Sequence, residues 1–506
     1  MLWPCTAHCL MHPLRLARNC TVSLPLARNC SVSLPLARNC TISLPLVRNC
    51  TVSLPLARSS GQFSGWGLTG GQVPAYLDEA TLHQAALYVH WPFCERRCTY
   101  CNFNKYISPS VDHDAMRDGL LRETETLLSV SQVKEITSIF FGGGTPSLAR
   151  PSTIARVLET VARVTHVPHD VEISMEANPT SAAASRLAEF KEAGITRLSL
   201  GVQALCDRDL RILGRDHTAQ EALRSLEEAR KLFPGNTSVD IIFGRPGQSV
   251  ESWEEELEEL VALCDHHVSL YQLTLERGTA LYKQVQEQAL SIPEQEKLAE
   301  MYQAARRILG MAGFLQYEVS NFAKSGAVCE HNLGYWRGRQ YLGVGPGAHG
   351  RFIPWGEEKS LREARIQTLE PDNWLREVRQ FGHGTRKRVQ QTELDILEEL
   401  LVLGLRMNDG ITHQLWLQCS PGLSLQEAVG DSPEVKQYLE KQLLVLDNRG
   451  LRCSWEGLAL LDMLLPALLL QLQLSYQKSV THSLPSTGFV PQELGSTTIA
   501  HTYRET

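Results

Sequence analysis

The sequence predicts an α/β protein: a partial (β/α) barrel followed by a smaller, mostly helical domain with a winged-helix-like end. Three observations carry this. From residue 86 onward, short apolar runs alternate with amphipathic segments of helical period, the pattern of βα units around a parallel sheet. Chemistry-bearing residues fall where those runs end, as in barrels whose site lies at the strand carboxyl ends. Beyond about residue 362 the pattern turns helical and closes on a short hairpin signal.

Residues 86–90, 136–141, 171–175, 197–202, 238–243 and 268–275 read as strands. Residues 112–128, 151–163, 181–193, 219–232 and 252–264 read as the helices between them. Gly194 sits just past the third helix, where a left-handed residue ends a helix. In the second region, 391–403 is the clearest helix. Residues 443–446 and 451–454 flank Asn448-Arg449-Gly450 and read as a hairpin. Residues 457–474 are strongly apolar but carry Asp462, Pro466, Gln471 and Gln473, so they read as a buried terminal helix and not as a membrane span. From about Tyr476 the chain is polar and rich in Ser, Thr and Pro, which reads as a disordered tail.

The expected organisation is a repeat extension at 1–78, the barrel at 79–360, the helical domain at 361–475 and the tail at 476–506. Residues 16–58 repeat with period ten, as in Leu16-Ala-Arg-Asn-Cys-Thr-Val-Ser-Leu-Pro25. One proline per unit forbids a continuous helix. The first acidic residue is Asp78, after arginines at 15, 18, 28, 38, 48 and 58. An Arg-rich, Ser-rich, acid-free start is the composition of a mitochondrial presequence; an unstructured extension is the alternative.

The 506 residues carry a net charge of −7, which gives no electrostatic bias toward nucleic acid. The 14 cysteines do not form the dense framework of a small secreted protein. Cys206 and Cys264 read as core residues, and Cys329, two positions before His331, as a buried structural cysteine with a metal-binding thiolate as the alternative. Cys94, Cys98 and Cys101 stand together as C-x3-C-x2-C just after the first strand. Thiolates are the natural ligands of iron–sulfur clusters. Three cysteines on a four-iron cube leave one iron for a small chelating molecule, as the amino and carboxylate groups of S-adenosylmethionine (SAM) can be. A structural zinc site is the alternative, although zinc prefers four protein ligands and C-x2-C pairs. Gly142-Gly143-Gly144-Thr145-Pro146 follows the second strand; glycines there let the backbone approach a ligand closely.

These motifs, with Tyr88-Val-His-Trp-Pro-Phe-Cys94, Glu176-Ala-Asn-Pro179, Gly201-Val-Gln203 and Asp240-Ile-Ile-Phe-Gly244, resemble the HemN/HemW branch of the radical SAM proteins. The resemblance covers about 86–350 strongly and implies a radical SAM core built as an incomplete barrel. It implies a [4Fe-4S] cluster on Cys94, Cys98 and Cys101. It places Tyr88 and Tyr100 beside SAM, with Gly143, Gly144 and Thr145 at its amino-acid end. Glu176, Gln203, Arg215 and Asp240 would contact its polar and ribose groups. Oxygen-independent coproporphyrinogen III oxidases of this branch carry another cysteine two positions after the triplet; here that position is Phe103.

His331-Asn332-Leu-Gly-Tyr335-Trp336 matches the HNxxYW motif of the HemW haem chaperones. The resemblance therefore implies haem contact by His331, Tyr335 and Trp336, and histidine is a common axial haem ligand. Against this stands the reading of a buried histidine with two core aromatics beside a Gly-rich turn at 343–350. The expectation is a haem chaperone that delivers haem to acceptor proteins, with the respiratory chain as the destination. The alternative is a coproporphyrinogen III dehydrogenase that uses a 5′-deoxyadenosyl radical, so enzymatic activity stays open. A mitochondrial location is expected, without nucleic acid or a membrane span. A homodimer and peripheral membrane contact also stay open.

Overall fold

The computed structural model describes residues 82–355 and 362–483. The described residues all fall in one unit. The repeat and presequence reading at 1–78, and the tail from 484 onward, lie outside the described residues.

Six strands lie side by side, parallel and in chain order: β1 (Gln84–Trp91), β2 (Glu135–Gly143), β3 (Glu172–Ala177), β4 (Arg197–Gln203), β5 (Thr237–Phe243) and β6 (His267–Gln272). The helices His113–Ser129, Pro151–Val164, Ala184–Glu192, Ala219–Leu232 and Val250–Leu263 connect them. Sequential parallel order is what repeated right-handed βαβ crossovers give. The sixth strand stops at Gln272, short of the expected 275.

The sheet then grows at both edges. β7 (Leu315–Glu318) and β8 (Asn321–Ala323) pair antiparallel beside β6. On the other side β9 (Tyr341–Val344) pairs parallel with β1, followed by β10 (His349–Phe352), β11 (Glu363–Gln367) and β12 (Thr385–Gln390). The result is one twelve-stranded sheet whose end strands, β12 and β7, do not pair with each other. The expected partial barrel is thus borne out, as a sheet that does not close on itself.

Two expectations are corrected here. The stretch 343–350 is not simply a turn, because β9 and β10 run into it. Residues 363–390 do not begin a helical region; β11 and β12 flank the helix Pro371–Phe381. Charge hides these strands in the sequence: Glu363 pairs with Arg365 on its own strand (2.8 Å) and with Arg388 across on β12.

The carboxyl-terminal region holds the helix Glu393–Gly404 and a three-stranded sheet of Ile411–Thr412, Gly450–Cys453 and Leu444–Leu446, the last two forming the expected hairpin. The terminal helix is longer than expected and runs from Leu461 to Ser483, into residues assigned to the tail. Its last turns are anchored: Gln473 donates to Glu398 (2.7 Å) and Tyr476 Oη to Glu393 (3.3 Å). No helix among the described residues is long and apolar enough to cross a membrane.

The helix-facing residues of β2–β6, such as Ile139, Met175, Leu198, Val239 and Val268, join one hydrophobic core. Their neighbours in sequence face the other side of the sheet. Ser174, Glu176, Arg197, Ser199, Ser238, His267 and Ser269 line a pocket there with about 360 Å³ of atom-free space, part of it open to solvent. Cys264 and Cys329 are buried, as expected. Cys206 is exposed, not core, because it sits in the turn between β4 and the short helix Asp207–Ile212.

Candidate functional site

The cysteine loop leaves β1 and is fastened at several points. Cys94 N–H donates to Tyr106 O (3.0 Å), and Tyr106 N–H to Pro92 O (2.8 Å). Thr99 is tied to the β4 side, its N–H to Leu213 O (3.0 Å) and its Oγ1 to Ile212 O (2.7 Å). Lys105 Nζ closes the loop on Cys101 O (2.5 Å). Cys94, Cys98 and Cys101 all line one pocket with about 570 Å³ of atom-free space, together with Tyr100, Phe103, Gly143, Gly144, Thr145, Asn178 and Arg215. Among the described residues no three His, Cys, Asp or Glu side chains meet as ligands of a single ion would. Three soft thiols spread around a pocket suit the corners of a cluster.

Each thiol environment is distinct. Thr145 Oγ1 donates to Cys94 Sγ (3.3 Å), and Arg215 Nη1 donates to Cys98 Sγ (3.3 Å). Burial pushes Cys94 up to about 12 and raises Cys101 as well. Metal binding would therefore have to displace protons from Cys94 and Cys101.

Gly143 has φ +118°, a conformation that glycine adopts without steric strain. A Cβ there would meet the His90 ring at 2.7 Å, and one at Gly144 would meet Phe93 O at 2.7 Å. The end of β2 is thus pressed against the start of the cysteine loop. Gly143 N–H donates to Glu176 Oε2 (3.1 Å), whose carboxyl is raised by burial. Arg215 is buried; its Nη2 donates to Gly201 O (3.0 Å) and to Asn178 Oδ1, and its Nε has no partner.

Of the residues expected at SAM, the structure gathers Tyr100, Gly143, Gly144, Thr145 and Arg215 on the pocket wall. Tyr88, Glu176, Gln203 and Asp240 are buried at or behind the strand ends. Tyr88 Oη bonds His90 Nδ1 (3.1 Å) and its ring stacks on Phe140. Asp240 accepts from Ser199 Oγ (2.9 Å). Gln203 holds φ +70°, uncommon outside glycine. Asn178 reaches the pocket without having been singled out, although it stands inside the Glu176–Pro179 motif.

His331, Tyr335 and Trp336 lie on a short helix, Glu330–Trp336, that covers the inner face of the sheet beside β2 and β3. His331 is 1% exposed, and its Nδ1 bonds Ser138 Oγ (2.9 Å). Its ring stacks on Phe140 at 5.0 Å and meets Tyr335 edge-on at 4.9 Å. Its Nε2 has no hydrogen-bond partner. Burial pushes the imidazole down to about 3, so it is neutral. Trp336 is 2% exposed under the Arg406 guanidinium, 4.5 Å from the ring centroid. Tyr335 packs on Tyr341 at 4.3 Å.

Comparison with known proteins now bears on this arrangement. The Radical SAM superfamily model matches residues 88–260, and the HemN C-terminal domain model matches residues 391–460. The mitochondrial radical S-adenosyl methionine domain-containing protein 1 of Danio rerio is 58% identical over 393 residues, 78% of this chain and 88% of that protein. The protein of the same name from Bos taurus is 58% identical over 402 residues, 79% of this chain and 91% of its own length. Heme chaperone HemW of Bacillus subtilis is 33% identical over 372 residues, 73% of this chain and 95% of HemW. The chain belongs to the HemW-like branch of the radical SAM superfamily. The mitochondrial location expected from the sequence agrees with the names of its animal relatives. Coproporphyrinogen III oxidase (HemN) of Escherichia coli shares the fold, with a TM-score of 0.64 at 20% identity over 78% of this chain and 92% of that one. Radical SAM membership implies a [4Fe-4S] cluster and SAM. The three-thiol pocket with its glycine-lined wall fits both.

Proposed function

We propose that this protein is a haem chaperone of the HemW type, which binds haem through the motif helix and delivers it to acceptor proteins of the respiratory chain. The observation that carries the reading is His331: a neutral imidazole, oriented by Ser138 and Phe140, whose Nε2 has no partner. A hydrogen bond on one ring nitrogen, here between Nδ1 and Ser138, readies the other for a metal. Tyr335 and Trp336 would contact the porphyrin. Cys94, Cys98 and Cys101 would hold the cluster; when bound, cluster and SAM supply one-electron chemistry. Tyr100, Gly143, Gly144, Thr145 and Arg215 would line the SAM site, with Tyr88, Glu176, Gln203 and Asp240 supporting it. In this reading 1–78 is a presequence, 79–360 the radical SAM body and 361–475 the carboxyl-terminal domain.

A second reading, oxidation of coproporphyrinogen III, draws on the intact cluster pocket. Phe103 weighs against it, since it lines that pocket where the oxidases of this branch carry a cysteine. The test titrates haem by absorbance into anaerobically reconstituted protein, wild type and His331→Ala, and assays coproporphyrinogen III turnover with SAM in the same preparation. Stoichiometric haem binding that weakens at least tenfold in the variant, without turnover, is expected. Turnover without haem binding would replace the first reading by the second.

A further inference from the structure

His331 and Trp336 are 1% and 2% exposed, so a porphyrin reaches neither side chain as the motif helix stands, although Tyr335 between them is only half-buried. Three side chains on the inner face of the sheet, Glu172, Arg197 and Ser138, hold the segment there. The Glu172 carboxylate accepts Glu330 N–H (3.1 Å), His331 N–H (3.2 Å) and the Cys329 thiol (3.3 Å). Arg197, on the neighbouring strand, donates to Ala327 O (3.0 Å) and Val328 O (3.4 Å), in the segment leading into the helix. Glu172 and Arg197 lie 3.8 Å apart, and Arg197 is 4% exposed. Hydrogen bonds to charged groups are the strong ones, and burial strengthens them further. Ser138 holds the helix from β2 through His331.

The fastened segment runs between two glycines of positive φ, Gly326 (+79°) and Gly338 (+66°). A Cβ at Gly326 would meet nothing within 4 Å, so space does not demand glycine there and the backbone conformation does. Positions of this kind can absorb the φ/ψ change of a hinge.

We infer that Glu172 and Arg197 are positioning residues that clasp residues 326–338 shut, and that haem reaches His331 only after the clasp opens and the segment turns on those glycines. The inference rests on the haem reading above. The clasp keeps His331 buried and makes opening the step that admits haem.

The test mixes haem rapidly with the full chain, wild type and variants, and follows amide exchange of residues 328–337 without haem. In wild type the observed association rate should level off as haem is raised, because opening limits it. Glu172→Gln should raise that plateau about tenfold and speed exchange of 328–337 to a similar degree. The final haem spectrum should stay unchanged, since the ligand is the same. Arg197→Met should behave alike, and Arg197→Lys should return toward wild type. If Glu172→Gln does not fold, Ser138→Ala reads the same plateau with a smaller, several-fold rise. Haem binding whose rate climbs linearly with haem and ignores these variants would overturn the clasp and leave the haem reading standing. No haem binding by wild type would overturn both.

Discussion

The two faces of β2–β6 are made from alternate residues of the same strands. Outward lie Ile139, Phe141, Met175, Leu198, Leu200, Val239 and Ile241, all in one core. Inward, one position away, lie Ser138, Ser174, Glu176, Arg197, Ser199, Asp240 and His267, nearly all as thoroughly buried. Burying apolar area stabilises the fold by roughly 25 cal/mol per Å². Burying a polar group stabilises nothing unless its hydrogen bonds are remade. The outer face therefore carries stability, and the inner face carries recognition, with its polar groups holding one another and the motif helix.

Mutations can break this comparison. The largest effect expected is on the cluster. Cys98→Ala should abolish the visible absorbance of reconstituted protein while the melting of metal-free protein barely moves, since Cys98 is only half-buried. Next is the outer face: Leu200, fully buried, cut to alanine should cost about 3 kcal/mol in denaturant unfolding. Ser199→Ala on the inner face should stay below about 1 kcal/mol, and equal losses at 199 and 200 would refute the division.

A smaller effect concerns pH. Burial pushes His331 down to about 3, from an ordinary 6.5. Between those values the unfolded chain takes up a proton that the folded chain refuses. Stability is therefore full above pH 6.5 and falls as pH drops toward about 3. His90, pushed down to about 4 by burial, acts with the same sign. His331→Leu should flatten part of the acid-side fall, measured as unfolding free energy at pH 7 against pH 4.5. An unchanged slope would show that His331 is not held neutral by the fold.

Much of this was legible in the sequence. The first five parallel strands and the helices between them fall within a few residues of expectation, because their apolar runs and caps are strong local signals. The cysteine loop and the glycines of β2 announce a ligand site by residue type and spacing. What escaped was non-local. β11 and β12 carry charges, and the partner that joins the two strands, Arg388 to Glu363, is found only across the sheet. The terminal helix continues to Ser483 through polar residues, and Gln473 and Tyr476 on it find partners in Glu398 and Glu393, far away in the sequence. The inner polar face was written in the alternation of β3–β6, yet its use by Glu172 and Arg197 depends on a segment 130 and more positions away.

β1 carries the cysteine loop, and it lies in the middle of the sheet. Its one flank pairs with β2, the next strand along the chain, but its other flank pairs with β9, where Ala86 meets Tyr341. Contacts so distant in sequence form slowly. Among the described strands, then, the one leading into the cysteine loop is synthesised first, and one of its edges stays unpaired until β9 has been made. A chain that stops before Tyr341 would therefore present the three thiols of the loop on an unfinished sheet.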